Sequence, residues 1–188
     1  ILLMRDGEPV RGSKRAGDII PLADLVDEVG RDAARFYCLL TSYETTATFD
    51  LELAKRQSAD NPVYYAQYAH ARCSAVLRRA EEMGVELKPA AVVNRSLLVH
   101  EKELELLRAL AAYPREVRLA AETMAPHRLA AYVRVIGQAL HQFYEQCPAL
   151  REDTPADLRD ARLSVFVATK TVVANLLGLL GVSAPDRM

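Results

Sequence analysis

The chain has 188 residues, of which 51% are hydrophobic and 26% charged, and its net charge is -1. Such a composition provides enough apolar side chains for a buried core and excludes extensive disorder. The near-neutral charge excludes a uniformly basic surface, but a local basic groove for RNA remains compatible with it. Three widely spaced cysteines predict reduced thiols in a cytoplasmic protein rather than a disulfide framework or a metal site. No apolar run reaches the length of a membrane span, so no membrane association is expected.

The first part of the chain, residues 5–21, reads "RDGEPVRGSKRAGDIIP" and predicts a basic, glycine-containing loop. Helical periodicity dominates after it. Two short helices are predicted first, and Gly30 ends the first of them. Asp50 is the predicted N-cap of a third helix. Asn61 is the predicted N-cap of a long helix that begins at Pro62 and ends at Gly84.

Three further long helices are predicted in the second half of the chain. Ser96 is the expected N-cap of a helix that ends before Pro114. Another begins near residue 126, and the last has Thr154 as its expected N-cap and ends at Gly181. Roughly seven helices with short connections predict an all-α fold, a helical bundle preceded by a loop and short helices. A change of composition near residues 58–62 predicts two parts, residues 1–60 and 61–188.

Motifs for catalysis within this chain are scarce. The sequence contains no nucleophile-elbow, zinc-protease, Walker or dinucleotide-binding pattern. The four histidines, His70, His100, His127 and His141, are too dispersed for a metal site, so we expect no bound metal. Each is interpreted as a surface residue or an interhelical hydrogen-bonding residue.

Two segments carry candidate binding residues, and each has two interpretations. In "RGSKRAG", residues 11–17, Ser13, Lys14 and Arg15 are suited to a flexible clamp on a polyphosphate, although basic surface loops with glycine are common. In "NPVYYAQYAHARCSAVLRR", residues 61–79, tyrosines alternate with histidine and arginine on one helix. Aromatic rings that stack on unstacked bases, together with cations that meet phosphates, are typical of RNA recognition. The same tyrosines are also compatible with a core position and a hydroxyl at the surface.

Taken together and in this order, these segments resemble the C-terminal part of arginyl-tRNA synthetase, a class I aminoacyl-tRNA synthetase. The resemblance covers nearly the whole chain and is carried by three stretches, residues 5–36, 49–72 and 158–188. An element at the start of the last stretch, Asp157–Arg159, is similar to the one after which the family's helical DALR anticodon-binding domain is named. The resemblance therefore implies that residues 61–188 form this domain and that residues 18–60 are stem-contact helices.

The resemblance also implies a role for the basic loop. Residues 11–15 match the K-M-S-K-R element of class I synthetases, with Arg11 in place of lysine and Gly12 in place of methionine. In the family this loop closes over ATP, which is bound with Mg2+. Lys14 would then be the catalytic lysine that stabilises the pyrophosphate, and Ser13 and Arg15 would contribute to ATP binding.

For tRNA-Arg, the implied partner, the resemblance places contacts at three positions. They are the first helix of the anticodon domain, a tyrosine near the end of the penultimate long helix, and the chain terminus. The matching residues are Tyr65, Tyr68, His70, Arg72, Tyr144 and Met188.

The Rossmann catalytic domain of the family would precede Ile1, so this chain alone is expected to be inactive and to hold no ATP tightly. A monomer that binds neither DNA nor membrane is expected. The alternative is a stand-alone RNA-binding or protein-adaptor helical module without catalysis.

Overall fold

A computed structural model describes residues 1–10 and 21–188 of the chain. Within these ranges there are eight α-helices, one 3-10 helix and three short strands. The predicted helical bundle is confirmed, with a small sheet added to it. In chain order the elements are β1 (Leu2–Arg5), β2 (Glu8–Pro9), α1 (Leu22–Val29), α2 (Arg31–Cys38), β3 (Thr48–Asp50), α3 (Leu51–Lys55), α4 (Pro62–Glu82), the 3-10 helix (Arg95–Leu97), α5 (Glu101–Ala111), α6 (Tyr113–Glu122), α7 (His127–Gln146) and α8 (Ala156–Leu180).

The sheet lies where the sequence predicted only a loop. β1 pairs antiparallel with β2 and parallel with β3, which gives the strand order β2-β1-β3. Phe49 on β3 is buried and its ring lies 4.7 Å from that of Tyr37 on α2, measured between centroids. The strands are only two to four residues long, and the partner of β1 in β3 lies more than forty residues away, so no period-two pattern predicts them.

The junction between the short helices and the long bundle is organised by Asn61. Its side chain is buried and accepts a hydrogen bond from the backbone N–H of Val63 at 3.3 Å. The amide group donates to the carbonyl groups of Ala54 and Arg56 at 3.0 and 2.7 Å. Asn61 thus caps α4, as predicted, and its side chain also binds carbonyl groups at the C-terminal end of α3.

The core of the bundle is formed by α4, α5, α7 and α8. The rings of Phe143 on α7 and Phe166 on α8 lie 5.0 Å apart between centroids, and both are buried. By length and composition α8 qualifies as a candidate membrane span, contrary to the sequence expectation, but the core helix of a soluble protein passes the same test. Its buried face packs against α4, α5 and α7, which is the position of a core helix.

Two predicted helix starts in this region were wrong. Ser96 does not cap α5. It belongs to a 3-10 helix whose cap is Asn94, and α5 begins five residues later behind His100. The predicted end of α5 before Pro114 is confirmed at Ala111, and Pro114 is itself the second residue of α6, where a missing N–H costs nothing. α8 begins after Pro155 with no side-chain cap, and the Thr154 hydroxyl donates instead to the Pro148 carbonyl at 3.3 Å.

The C-terminal tail, residues 182–188, returns along α4. Gly181 ends α8 in the left-handed conformation with φ of 68°, as the sequence predicted. Gln67 on α4 donates to the Ser183 carbonyl at 3.1 Å, and the Ser183 backbone N–H donates to Asp32 on α2 at 3.1 Å. Ser74 donates to Asp186 at 2.7 Å. The tail therefore fastens α2 to the bundle.

Candidate nucleic-acid interface

One end of α4 and the facing part of α7 carry a cluster of aromatic and cationic side chains. Residues four apart lie on the same helix face, which brings Tyr64 and Tyr68 together. Their rings are nearly parallel, with an interplanar angle of 9° and centroids 6.0 Å apart. Tyr68 is 37% exposed, so part of its ring is open to solvent. An exposed stack of this kind offers a flat surface on which a base can be placed.

Arg72 connects the two helices. Its guanidinium carbon lies 4.6 Å from the centroid of the Tyr68 ring and 4.7 Å from that of Tyr144 on α7, within the range of cation–π attraction. One guanidinium nitrogen also donates to the Tyr68 hydroxyl at 3.0 Å. The structure thus brings together three of the residues implied for RNA contact, one of them more than seventy positions away in sequence.

His141 and Glu145 on α7 complete the cluster. The other terminal nitrogen of the Arg72 guanidinium lies 2.9 Å from Nδ1 of His141, and Nε2 of His141 lies 3.3 Å from the Glu145 carboxylate. His141 was not among the residues implied for tRNA binding. Its general interpretation as an interhelical hydrogen-bonding histidine is confirmed. The signal that marks it is its position three residues before Tyr144, on the same face of α7.

A pocket of about 180 Å³ opens beside this cluster, between α4 and α7. The Tyr65 ring closes one wall and packs against Gly137, where an added Cβ would lie only 2.9 Å from Cε1 of Tyr65. Burial raises the pKa of the Tyr65 hydroxyl, while Arg72 and Arg134 oppose that shift. Tyr65 therefore stays protonated at neutral pH and is able to donate a hydrogen bond into a site with two nearby cations.

Met188 lies at a second, wider groove, of about 560 Å³, between the short helices and α4. It is 52% exposed. The groove is also lined by Arg31 and Arg56, and it shares Tyr64 with the smaller pocket. Because Tyr64 lines both the pocket and the groove, Met188 lies next to the aromatic cluster.

His70 is separated from the cluster. It lies on a different face of α4 and is only 4% exposed. Its Nδ1 is 2.9 Å from the Pro185 carbonyl and 4.0 Å from the Asp186 carboxylate, so its observed contacts are with the C-terminal tail. In this structure the side chain has no open route to a ligand, and it secures the tail against α4.

The polyphosphate-clamp residues, Ser13, Lys14 and Arg15, lie outside the described residues. Residues 1–10 and 21–188 contain no group of three or more histidine, cysteine, aspartate or glutamate residues placed to hold a metal ion. Chemistry that depends on the loop therefore rests on sequence alone.

Comparisons of sequence and of fold with known proteins both find arginyl-tRNA synthetases or their anticodon-binding domain. The family model of the DALR anticodon binding domain matches residues 66–188. Over its whole length the chain is 46% identical to arginine–tRNA ligases of Symbiobacterium thermophilum and of Desulforamulus reducens, and it spans 33% of the length of each.

Two solved structures are similar to the fold described above. A protein assigned as an arginyl-tRNA synthetase from Campylobacter jejuni superposes with a TM-score of 0.84 and 26% identity over 100% of this chain and 39% of its own. The arginyl-tRNA synthetase of Thermus thermophilus gives a TM-score of 0.73 and 26% identity over 93% of this chain and 29% of its own. The predicted resemblance to arginyl-tRNA synthetases is confirmed, and the chain belongs to the DALR anticodon binding domain family.

Proposed function

We propose that this chain is the tRNA-binding end of an arginine–tRNA ligase, and that residues 61–188 bind the anticodon stem and loop of tRNA-Arg. The family membership and the relatives named above support the proposal. Residues 1–60 then form the end of the catalytic region, with the short helices in contact with the tRNA stem. The boundary at residue 61 coincides with the Asn61 cap, which joins the two parts.

The observation that carries the proposal is the position of Arg72 between Tyr68 and Tyr144. Within residues 1–10 and 21–188, no carboxylate lies within ion-pairing distance of Arg72, so none of these residues neutralises its charge. Both flanking tyrosines are partly exposed, at 37% and 43%. A fixed cation between two open rings combines phosphate attraction with base stacking, which is what a single-stranded anticodon loop requires.

The role of the loop at residues 11–15 follows from the same proposal. In the complete ligase, Ser13, Lys14 and Arg15 contact the ATP phosphates. Lys14 stabilises the negative charge on the departing pyrophosphate. The Mg2+ enters with ATP. A full catalytic site needs the remainder of the ligase, because this chain covers a third of its relatives' length. We therefore expect no arginine-dependent ATP–pyrophosphate exchange by this chain alone, and sustained exchange would contradict that expectation.

The proposal is tested by removing the rings one at a time. Replacing Tyr68 or Tyr144 with leucine is expected to weaken binding of a tRNA-Arg anticodon stem-loop by roughly tenfold, because each stacked base is worth about 1–3 kcal/mol. Tyr43 provides the matched control, since it is 86% exposed and lies in the loop between α2 and β3. Tyr43→Leu is expected to leave the affinity unchanged. Equal affinities for all three variants would refute the proposed interface.

A further inference from the structure

The contact between Arg72 and His141 fixes the protonation form of the histidine. A guanidinium has only N–H donors and no acceptor, so Nδ1 of His141 must be the acceptor at 2.9 Å. An imidazole with a free Nδ1 lone pair is neutral and carries its hydrogen on Nε2. The Glu145 carboxylate lies 3.3 Å from Nε2, on the side of the ring away from Arg72. Arg72 is therefore the donor and His141 the acceptor in this contact.

The hydrogen bond to an uncharged His141 has an electrostatic consequence for Arg72. A carboxylate partner orients a guanidinium strongly but also cancels its charge. Here the acceptor is uncharged, and within the described part of the chain no carboxylate lies at ion-pairing distance from Arg72. The acidic residue of the cluster, Glu145, contacts His141 and is separated from Arg72 by the imidazole ring.

We infer that His141 is a positioning residue, which holds the Arg72 guanidinium between Tyr68 and Tyr144 as an uncharged acceptor so that the cation is oriented but not neutralised. The inference rests on the proposed RNA-binding function and assigns to His141 a part in it. The ligand chemistry that uses such a cation is a phosphate group or the acceptor edge of a base in a single-stranded RNA loop.

Three substitutions of similar size at position 141 test separately the need for a hydrogen-bond acceptor and the need for that acceptor to be uncharged. Asparagine at position 141 keeps an uncharged acceptor near the place of Nδ1, aspartate keeps the acceptor but adds a negative charge, and leucine removes the acceptor. The variants His141→Asn, His141→Asp and His141→Leu are compared with the unsubstituted chain. Thermal unfolding of each variant controls for misfolding, and binding is measured at roughly 50 mM and 200 mM salt.

For the anticodon stem-loop of tRNA-Arg, His141→Leu is expected to lose about fivefold in affinity, the size of one hydrogen bond. His141→Asn should regain most of that loss. His141→Asp should bind weakly and with a smaller dependence on salt, by about one unit in the slope of log affinity against log salt. Equal losses for asparagine and leucine, or an aspartate variant that matches asparagine in affinity and slope, would overturn the inference.

A second measurement does not depend on RNA. Long-range proton–nitrogen correlation spectra of the imidazole are expected to show His141 as the Nε2–H tautomer with an unprotonated Nδ1, and a proton on Nδ1 at neutral pH would overturn the inference by itself. The two proposals also fail differently. An unsubstituted chain that does not bind tRNA refutes the proposed function, whereas binding that is insensitive to position 141 refutes only the role of His141.

Discussion

The ion pair between α5 and α8 provides the clearest test of what holds the bundle together. Glu103 is only 1% exposed in its side chain, and one carboxylate oxygen accepts from Arg162 at 2.7 Å. The other accepts from the backbone N–H of His100 at 2.9 Å, which closes the N-terminus of α5. Arg162 is 13% exposed and also donates to the Pro148 carbonyl at 2.9 Å. Glu103 thus joins a helix cap, a neighbouring helix and a loop.

Glu103→Ala is expected to destabilise the chain by about 3 kcal/mol, because it leaves the Arg162 charge buried and uncompensated and removes the cap. For a chain of this length that corresponds to a fall of roughly 6–12 °C in melting temperature. Glu103→Gln keeps the shape and one acceptor and is expected to cost about 1–2 kcal/mol. The matched control is Glu105 on the same helix, whose pair with Lys102 is partly exposed, whereas Glu103 is buried. Glu105→Ala should cost less than about 0.5 kcal/mol.

Urea unfolding followed by circular dichroism measures these free energies, and a double-mutant cycle isolates the pair. Glu103→Ala combined with Arg162→Met should cost at least about 1 kcal/mol less than the sum of the two single variants. The reasoning is refuted if Glu103→Ala costs no more than Glu105→Ala, or if the two single costs are additive.

Two further predictions concern the pocket and the tail. Gly137→Ala places a Cβ 2.9 Å from the Tyr65 ring, whereas at Gly178 on α8 nothing lies within 4 Å. Gly178→Ala should therefore stabilise the chain by about 0.5–1 kcal/mol. Gly137→Ala should stabilise it less and should shift the NMR resonances of the Tyr65 ring. Equal stabilisation by both substitutions, with unchanged Tyr65 resonances, would contradict this prediction. The pKa of Asp186 is lowered to about 2, first by the hydrogen bond from Lys170. A lowered carboxyl pKa contributes stability above the unfolded value of about 4 that is lost as pH falls toward 2. In Lys170→Met, NMR titration should therefore show a higher Asp186 pKa and a flatter stability profile between those values, and an unchanged pKa would contradict the assignment.

The sequence predicted those helix ends that depend on local chemistry. Asp50 accepts a hydrogen bond from the Leu53 N–H, and Asn61 and Gly181 hold the cap positions expected of them. The failures have tertiary causes. The cap of α5 is set by Glu103, which is held by a partner on another helix, so the nearer Ser96 does not start the helix. The sheet depends on pairing between distant segments, which no local pattern records.

In the candidate site, too, some contacts follow from local sequence and others depend on tertiary packing. The pair Tyr64–Tyr68 follows from helical spacing alone. The positions of Tyr144 and His141 against Arg72 depend on how α7 packs against α4 and could not be obtained from spacing. The resemblance to a known family supplied Tyr144 but not His141. The resemblance also placed His70 with the tRNA contacts, whereas its visible partners belong to the tail.

The central claim is that this chain recognises the anticodon arm of tRNA-Arg, and affinity measured on three RNAs tests it most directly. These are a tRNA-Arg transcript, the same transcript with one anticodon base changed, and an unrelated tRNA, each at roughly 50 mM and 200 mM salt. tRNA-Arg is expected to bind more tightly at both salt concentrations, and the single base change is expected to remove the preference. Equal binding of all three RNAs that disappears at the higher salt would contradict it. That result would show only nonspecific attraction to phosphate.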